Sequence, residues 1–187
     1  MLKPRGFHIL PDKERRQWQN PEAILAEIGL NQGMTFLDIG CGQGFFAIPA
    51  AKIVGVNGKV YGLDINPDNI EALKQKSLHE GLSNLVLQTG EAEKVILCDA
   101  CADIIFFGIV LHDFKNASKV LANARKMIKS TGWLVNLDWK KEETPFGPPE
   151  HIRFDQEESK HLIESQGFKI KSITDSGLYH YLIIAKP

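Results

Sequence analysis

Asp38, Gly40, Gly42 and Gly44 stand at alternate positions in the stretch Phe36-Leu37-Asp38-Ile39-Gly40-Cys41-Gly42-Gln43-Gly44-Phe45-Phe46. A carboxylate followed by three such glycines suits a ligand lying against the backbone. The glycines allow a tight turn and remove the side chains that would block close approach. Phe45, Phe46, Ile48 and Ala51 then recur at helical spacing, so free N–H groups and a partial positive charge point at whatever sits over the turn. Asp64, twenty-four residues after Gly40, is a second carboxylate. An acid at that distance can accept hydrogen bonds from two adjacent ribose hydroxyls, and Ile65 beside it joins the candidate set. Gly90-Glu91-Ala92, Gly108 and His112 lie just past further apolar runs. His112 is of the type used for proton transfer, although a hydrogen-bonded structural histidine reads equally well.

Positioning these groups requires strands that end beside one another. Met34–Ile39, Val60–Asp64, Leu85–Gln88, Ala102–Gly108 and Trp133–Trp139 are short apolar runs bounded by turns, as expected of strands buried on both faces. Asn20-Pro21 and Asn66-Pro67 are helix starts, an Asn cap followed by Pro at the first helical position. Ile70, Leu73 and Leu78 supply the buried side of the second of these helices. Val120, Leu121, Ala124, Met127 and Ile128 mark another, closed by Ser130-Thr131-Gly132, and Asp155–Gln166 a last one ending at Gly167. Lys140–Pro149, with its prolines, can continue neither helix nor central strand, so it is a long loop at a strand's carboxyl end. Phe168–Thr174 and Tyr179–Ala185 are joined by only Asp175-Ser176-Gly177-Leu178. A parallel crossover needs roughly a dozen residues or more, so these two strands pair antiparallel.

The D-x-G-x-G-x-G pattern at Asp38–Gly44, with Asp64 and the closing antiparallel strand, resembles the class I S-adenosylmethionine-dependent methyltransferases. Within that class it is similar to the small-molecule type related to ubiquinone and menaquinone biosynthesis. The resemblance covers about Met34 to Pro187. It implies an α/β three-layer sandwich with a doubly wound, seven-stranded, mostly parallel sheet and an antiparallel last strand. It also implies S-adenosylmethionine as cofactor, with S-adenosylhomocysteine as product. The cofactor would lie on Asp38, Gly40, Cys41, Gly42, Gly44, Asp64, Ile65, Gly90, Glu91, Ala92 and Gly108. Gly90-Glu91-Ala92 matches the family's G-D-A with Glu for Asp, which would meet the adenine, and Gly108 would let the methionine part approach the backbone. His112 is the candidate base, with Asp113 and Trp139 at the same mouth. Residues 1–33 form an N-terminal arm and helix that would lid the cofactor within a single domain of 1–187; Trp18 reads as a tryptophan packed on the surface.

Composition narrows the alternatives. A chain of 187 residues with 43% apolar and 24% charged side chains is ordinary for a soluble globular protein, and the net charge of −1 gives no drive toward nucleic acid. No [DNS]-P-P-[FY] follows the fourth strand, which lowers the expectation of nucleic-acid N-methylation, so a small-molecule acceptor is expected. No signal peptide or membrane span is evident, and a cytoplasmic setting is the default; a homodimer stays open. Cys98-Asp99-Ala100-Cys101 has C-x-x-C spacing but no second ligand pair, so it reads as free cysteines at a turn, with no metal. A nicotinamide-dependent oxidoreductase would explain the glycine turn and Asp64 but not the closing hairpin. A non-catalytic cofactor-binding or interaction protein would explain all but an acceptor site.

Overall fold

The computed structural model describes residues 12–187; the irregular arm read for residues 1–12 lies, apart from Asp12, outside them. Two short helices come first, α1 (Asp12–Arg15) and α2 (Pro21–Glu27). Then β1 (Thr35–Ile39), α3 (Ala47–Val54), β2 (Lys59–Asp64), α4 (Pro67–His79), β3 (Leu85–Thr89) and β4 (Ala102–Gly108) alternate. They are followed by α5 (Ala117–Met127), β5 (Ile128–Trp139), α6 (Gln156–Ser165), β6 (Lys169–Ser176) and β7 (His180–Lys186). The seven strands form one sheet in the order β3-β2-β1-β4-β5-β7-β6. Only β7 runs against the others, pairing antiparallel with both β5 and β6, as the short β6–β7 connection requires.

Strand periodicity sorts the core into two halves. Phe36, Val60, Ile104, Phe106, Val135, Leu137 and Leu182 face α2, α3 and Leu73 of α4. Leu37, Ile39, Leu63, Ile105, Phe107, Leu134, Tyr181 and Ile183 face α5 and α6. Each fully buried Leu, Ile or Phe contributes about 1.5–3 kcal/mol of transfer free energy, so alternate residues of the central strands hold the two helix layers. The helices are closed as their sequences suggest. Asn20 and Asn66 accept hydrogen bonds from Ala23 and Asp68 N–H at 3.1 and 2.9 Å, and Asp155 with Glu158 forms a reciprocal capping box on α6.

Three expectations need correcting. Leu78 is exposed, because the inward stripe of α4 is Ile70, Leu73 and Ser77, and Leu78 lies about 100° further round the helix. Ile128 belongs to β5, not to the preceding helix. Ser130-Thr131-Gly132 is an irregularity inside that strand, whose register with β4 jumps from Ala102↔Ile128 to Ile104↔Trp133. Gly132 sits so close to Ala102 O that a Cβ would stand 2.8 Å away, which is why the bulge falls there. Cys98 and Cys101 are not free: they form a disulfide, with Cα atoms 6.0 Å apart. Their turn is pinned to the end of α5 by the Ala100 and Cys101 N–H groups, which donate to Lys126 and Met127 carbonyls at 2.9 Å.

Candidate active site

The carboxyl ends of β1, β4 and β5 open onto a cavity of about 540 Å³. Asp38, Gly40, Cys41, Gly42, Gly108 and His112, all marked by the sequence, line it. Gly40 and Cys41 N–H donate to Leu63 O at 2.7 and 3.0 Å, which folds the turn back over β2. Gly42 has φ +52°, and a Cβ there would stand in open space at the cavity edge. Gly44, by contrast, serves packing, since its Cβ would meet Leu73. Asp38 is 2% exposed and its Oδ2 has no hydrogen-bond partner among the described residues. Burial, with the charge of Asp64, pushes its carboxyl up to about 7 against the opposing pull of Arg15.

The remaining candidates stand outside this cavity. Asp64 Oδ2 accepts from Gly42 N–H at 2.8 Å, and Oδ1 accepts from Asn66 N–H and Asn69 Nδ2 at 2.9 and 3.2 Å. The carboxylate therefore stiffens the glycine turn and keeps acceptor capacity chiefly on Oδ2. Ile65 beside it is 68% exposed, an apolar surface next to an acid at a strand tip. Gly90 N–H donates to Asp64 O at 2.9 Å, which joins the β3 tip to the β2 tip. Glu91 is exposed and pairs with Lys94 at 2.8 Å, whereas Ala92 is buried and its carbonyl accepts from Asn123.

His112 sits in a short 3-10 turn, Leu111–Asp113, just past β4. The chain reaches it through Ile109, a β-branched residue at φ +63°. That strained conformation is held by the Ile109 N–H bond to Leu137 O at 2.7 Å. His112 Nδ1 lies 2.7 Å from Asp138 Oδ1. A carboxylate only accepts, so the proton is on Nδ1 and Nε2 is the free base. Asp113 Oδ1 stands 3.5 Å from Nε2. Burial lowers the His112 pKa, but the Asp138 hydrogen bond and the charges of Asp138 and Asp113 outweigh it, and the net shift is upward. Asp138 also accepts from Trp139 N–H at 2.8 Å, and its Oδ2 is unpartnered among the described residues.

The opposite wall is aromatic. Trp18 stacks on His180 with ring centres 5.3 Å apart and leans on Trp139 and Phe146 at 5.7 and 5.1 Å. Trp18 is therefore part of the cavity wall, not a tryptophan merely packed on the surface. Phe146, Gly147 and Pro148 come from the Lys140–Pro149 loop, which Arg153 ties down. Its guanidinium donates to the carbonyls of Lys140, Glu142 and Pro148 and to Thr144 Oγ1, at 2.6–3.0 Å. His151 and His161 are exposed.

Asp138, Arg15, Phe146 and Arg153 escaped the sequence reading. Asp138 could have been found, because it stands at the tip of its strand as Asp38 and Asp64 do. Arg15 ends a helix of one turn, too short and too polar to show a period, and Phe146 and Arg153 lie outside helices and strands, so nothing in the sequence marks these three.

An open α/β sheet with a glycine turn after β1, an acid at the β2 tip and a reversed last strand defines the class I S-adenosylmethionine-dependent methyltransferases. Residues 30–183 match a family model described as a methyltransferase domain, and the chain belongs to that family. A crystal structure of a SAM-dependent methyltransferase from Aquifex aeolicus superposes with a TM-score of 0.88 at 32% identity, covering 92% of each chain. A demethylmenaquinone methyltransferase from Geobacillus kaustophilus is 30% identical over 124 residues, 66% of this chain and 53% of its own. One from Staphylococcus aureus is 26% identical over 131 residues, 70% of this chain and again 53% of its own. The chain thus spans about half the length of these two relatives. S-adenosylmethionine fits the residues present: the unpartnered Asp38 Oδ2 suits an ammonium donor, and the side-chain-free edge at Gly42 leaves room for a ligand. Among the described residues no helix is long and apolar enough to cross a membrane.

Proposed function

We propose that this chain transfers the methyl group of S-adenosylmethionine to a small acceptor in the cytoplasm. The observation that carries this reading is that one cavity borders both the glycine turn with Asp38 and His112, whose Nδ1 pairs with Asp138 behind it. The cofactor supplies an already activated methyl group, so the protein's main task is to hold a nucleophile in line with it. Asp38 and the Gly40–Gly42 backbone would hold the methionine part, with Asp64 and Ile65 at the ribose and adenine and Gly90-Glu91-Ala92 at the adenine edge. Gly108 leaves the β4 tip without a side chain beside the reacting end.

His112 Nε2 takes the proton from the acceptor as its nucleophile attacks, and Asp138 holds the imidazole in the required tautomer and stabilises its cation. The walls of Trp18, Trp139 and Phe146 favour a flat, apolar acceptor, and excluding water strengthens the His112–Asp138 pair. A quinone-type ring is the first acceptor to assay, in keeping with the names of the relatives. The test is calorimetric titration with S-adenosylhomocysteine and with NAD⁺, on wild type and Asp64→Ala. Saturable binding of S-adenosylhomocysteine alone, at least 10-fold weaker in the variant, is expected. Binding of NAD⁺ instead would replace this reading with a nicotinamide-dependent one.

A further inference from the structure

β5 carries Leu134, Asn136 and Asp138 on the face that packs against α5 and α6. Alternation along the strand requires this, and the register agrees. Asn136 pairs with Phe107 of β4 and Ile183 of β7, and Asp138 with Tyr181, all three in the core on that side. Asn136 is fully buried, and among the described residues neither its Nδ2 nor its Oδ1 has a hydrogen-bond partner. Burying an amide without partners is costly, and an apolar side chain would suit this layer better. Asp138, two residues on, shows the same deficit. It is fully buried, and its Oδ1 accepts from His112 Nδ1 and Trp139 N–H at 2.7 and 2.8 Å, while its Oδ2 is unpartnered among the described residues. Tyr181, opposite Asp138, is already engaged: its hydroxyl lies 2.6 Å from Ser159 Oγ and donates to Phe154 O at 3.1 Å.

Residues two apart on a strand stand roughly 6.6 Å from each other, and two hydrogen bonds of about 2.8 Å each span such a gap through one small molecule. That molecule must accept from an amide N–H and donate to a carboxylate oxygen, and water does both. We propose that Asn136 is a positioning residue: it holds an internal water that donates to Asp138 Oδ2, and through Asp138 it sets the basicity of His112. The inference concerns the base named in the proposed function, and its catalytic meaning rests on that reading. A third donor to the carboxylate spreads its charge, so Asp138 pulls less strongly on the Nδ1 proton. Nε2 is then a weaker base than it would be without the water. The charged groups that act on His112 are Asp138 on β5, Asp113 in its own turn and Arg153 after the loop. Asn136 adds no charge to this set; it changes only how firmly Asp138 draws on its partner's proton.

The readout is the imidazole itself, followed by heteronuclear NMR of its ring nitrogens against pH on the intact chain, with neither cofactor nor acceptor. His112→Gln identifies its signals among the 6 histidines. Asn136→Leu, which suits the apolar layer, should raise the His112 midpoint by about 0.5–1 pH unit, the reverse of the direction expected for Asp138→Asn. Asn136→Ser, whose hydroxyl can hold the same water, should bring the midpoint back to within about 0.3 of wild type. An unchanged or lowered midpoint in Asn136→Leu overturns the proposal, because a side chain that only fills space leaves His112 no more basic. A crystal structure of the unaltered protein tests the bridge without any variant. A water within about 3.2 Å of both Asn136 Nδ2 and Asp138 Oδ2 is expected; a direct Asn136–Asp138 bond, or no water between them, refutes it. Neither measurement involves methyl transfer, so failure of S-adenosylhomocysteine to bind would overturn the methyltransferase role of His112 and not its coupling to Asn136.

Discussion

His112 and Asp138 are held in contact by two elements that end side by side, and their chemistry follows from burial. Asp138 is fully buried and His112 nearly so, so the hydrogen bond between them has little competition from water. The upward shift of the His112 pKa fixes the sign of the pH dependence. A base must be neutral, so kcat rises as pH increases through a midpoint above 6.5 and then levels. In Asp138→Asn the larger part of the pull that raises the pKa is gone, leaving only Asp113, while burial, which lowers it, remains. The midpoint then moves to lower pH and the plateau falls by about 10- to 100-fold as tautomer control is lost. A kcat–pH profile of both forms checks this, and an unchanged midpoint would remove His112 as the titrating group. Stability runs the other way: a histidine with a raised folded-state pKa contributes stability fully below its unfolded value, and that contribution is lost as pH rises through the folded one.

At the scale of elements, the decisive segment is the loop after β5. Lys140–Pro149 has no regular hydrogen bonding of its own to hold it, and a single buried side chain substitutes for it. Arg153 spends its donors on three loop carbonyls and Thr144 and stacks 4.9 Å from the centre of Trp139. Removing it leaves buried acceptors unpaired, at a cost of about 1–3 kcal/mol for each group that water cannot reach. Arg153→Met should therefore lower Tm, expose the loop to limited proteolysis and weaken the acceptor. S-adenosylhomocysteine affinity, which the proposed function assigns to the β1 and β2 tips, should stay within about 3-fold. Arg153→Lys should resemble the Met variant, because a single ammonium cannot reproduce the planar fork. Titration of both ligands together with a proteolysis time course separates these outcomes.

Across the whole molecule, the sheet places all of these groups at one edge. β1 is central, with β2 and β4 as neighbours, and its tip faces the crevice where helices leave toward opposite faces. A ligand seated there bridges α1, the glycine turn and the β4–β5 edge, so its binding should be read globally. S-adenosylhomocysteine at about 100 times its Kd stabilises by about 2.7 kcal/mol, which for a chain of this size corresponds to a Tm increase of about 5–10 °C. Differential scanning calorimetry with and without ligand measures it, and NAD⁺ at the same concentration should leave Tm unchanged.

The sequence by itself determined the order of the strands and of the helices from α2 onward, the antiparallel close and the glycine turn with Asp38 and Asp64. Those features are written in local chemistry: apolar period, Asn-Pro helix starts, turn length and the absence of side chains at Gly40 and Gly42. It also brought His112 into view. Only the tertiary structure supplied His112's partner, because Asp138 lies twenty-six residues away and meets it solely through the parallel pairing of β4 with β5. The same holds for Arg15 against Asp38 and for Arg153 beneath the loop. Ion placement, like the course of a loop without periodicity, depends on which distant surfaces the sheet brings together, and no local pattern encodes that.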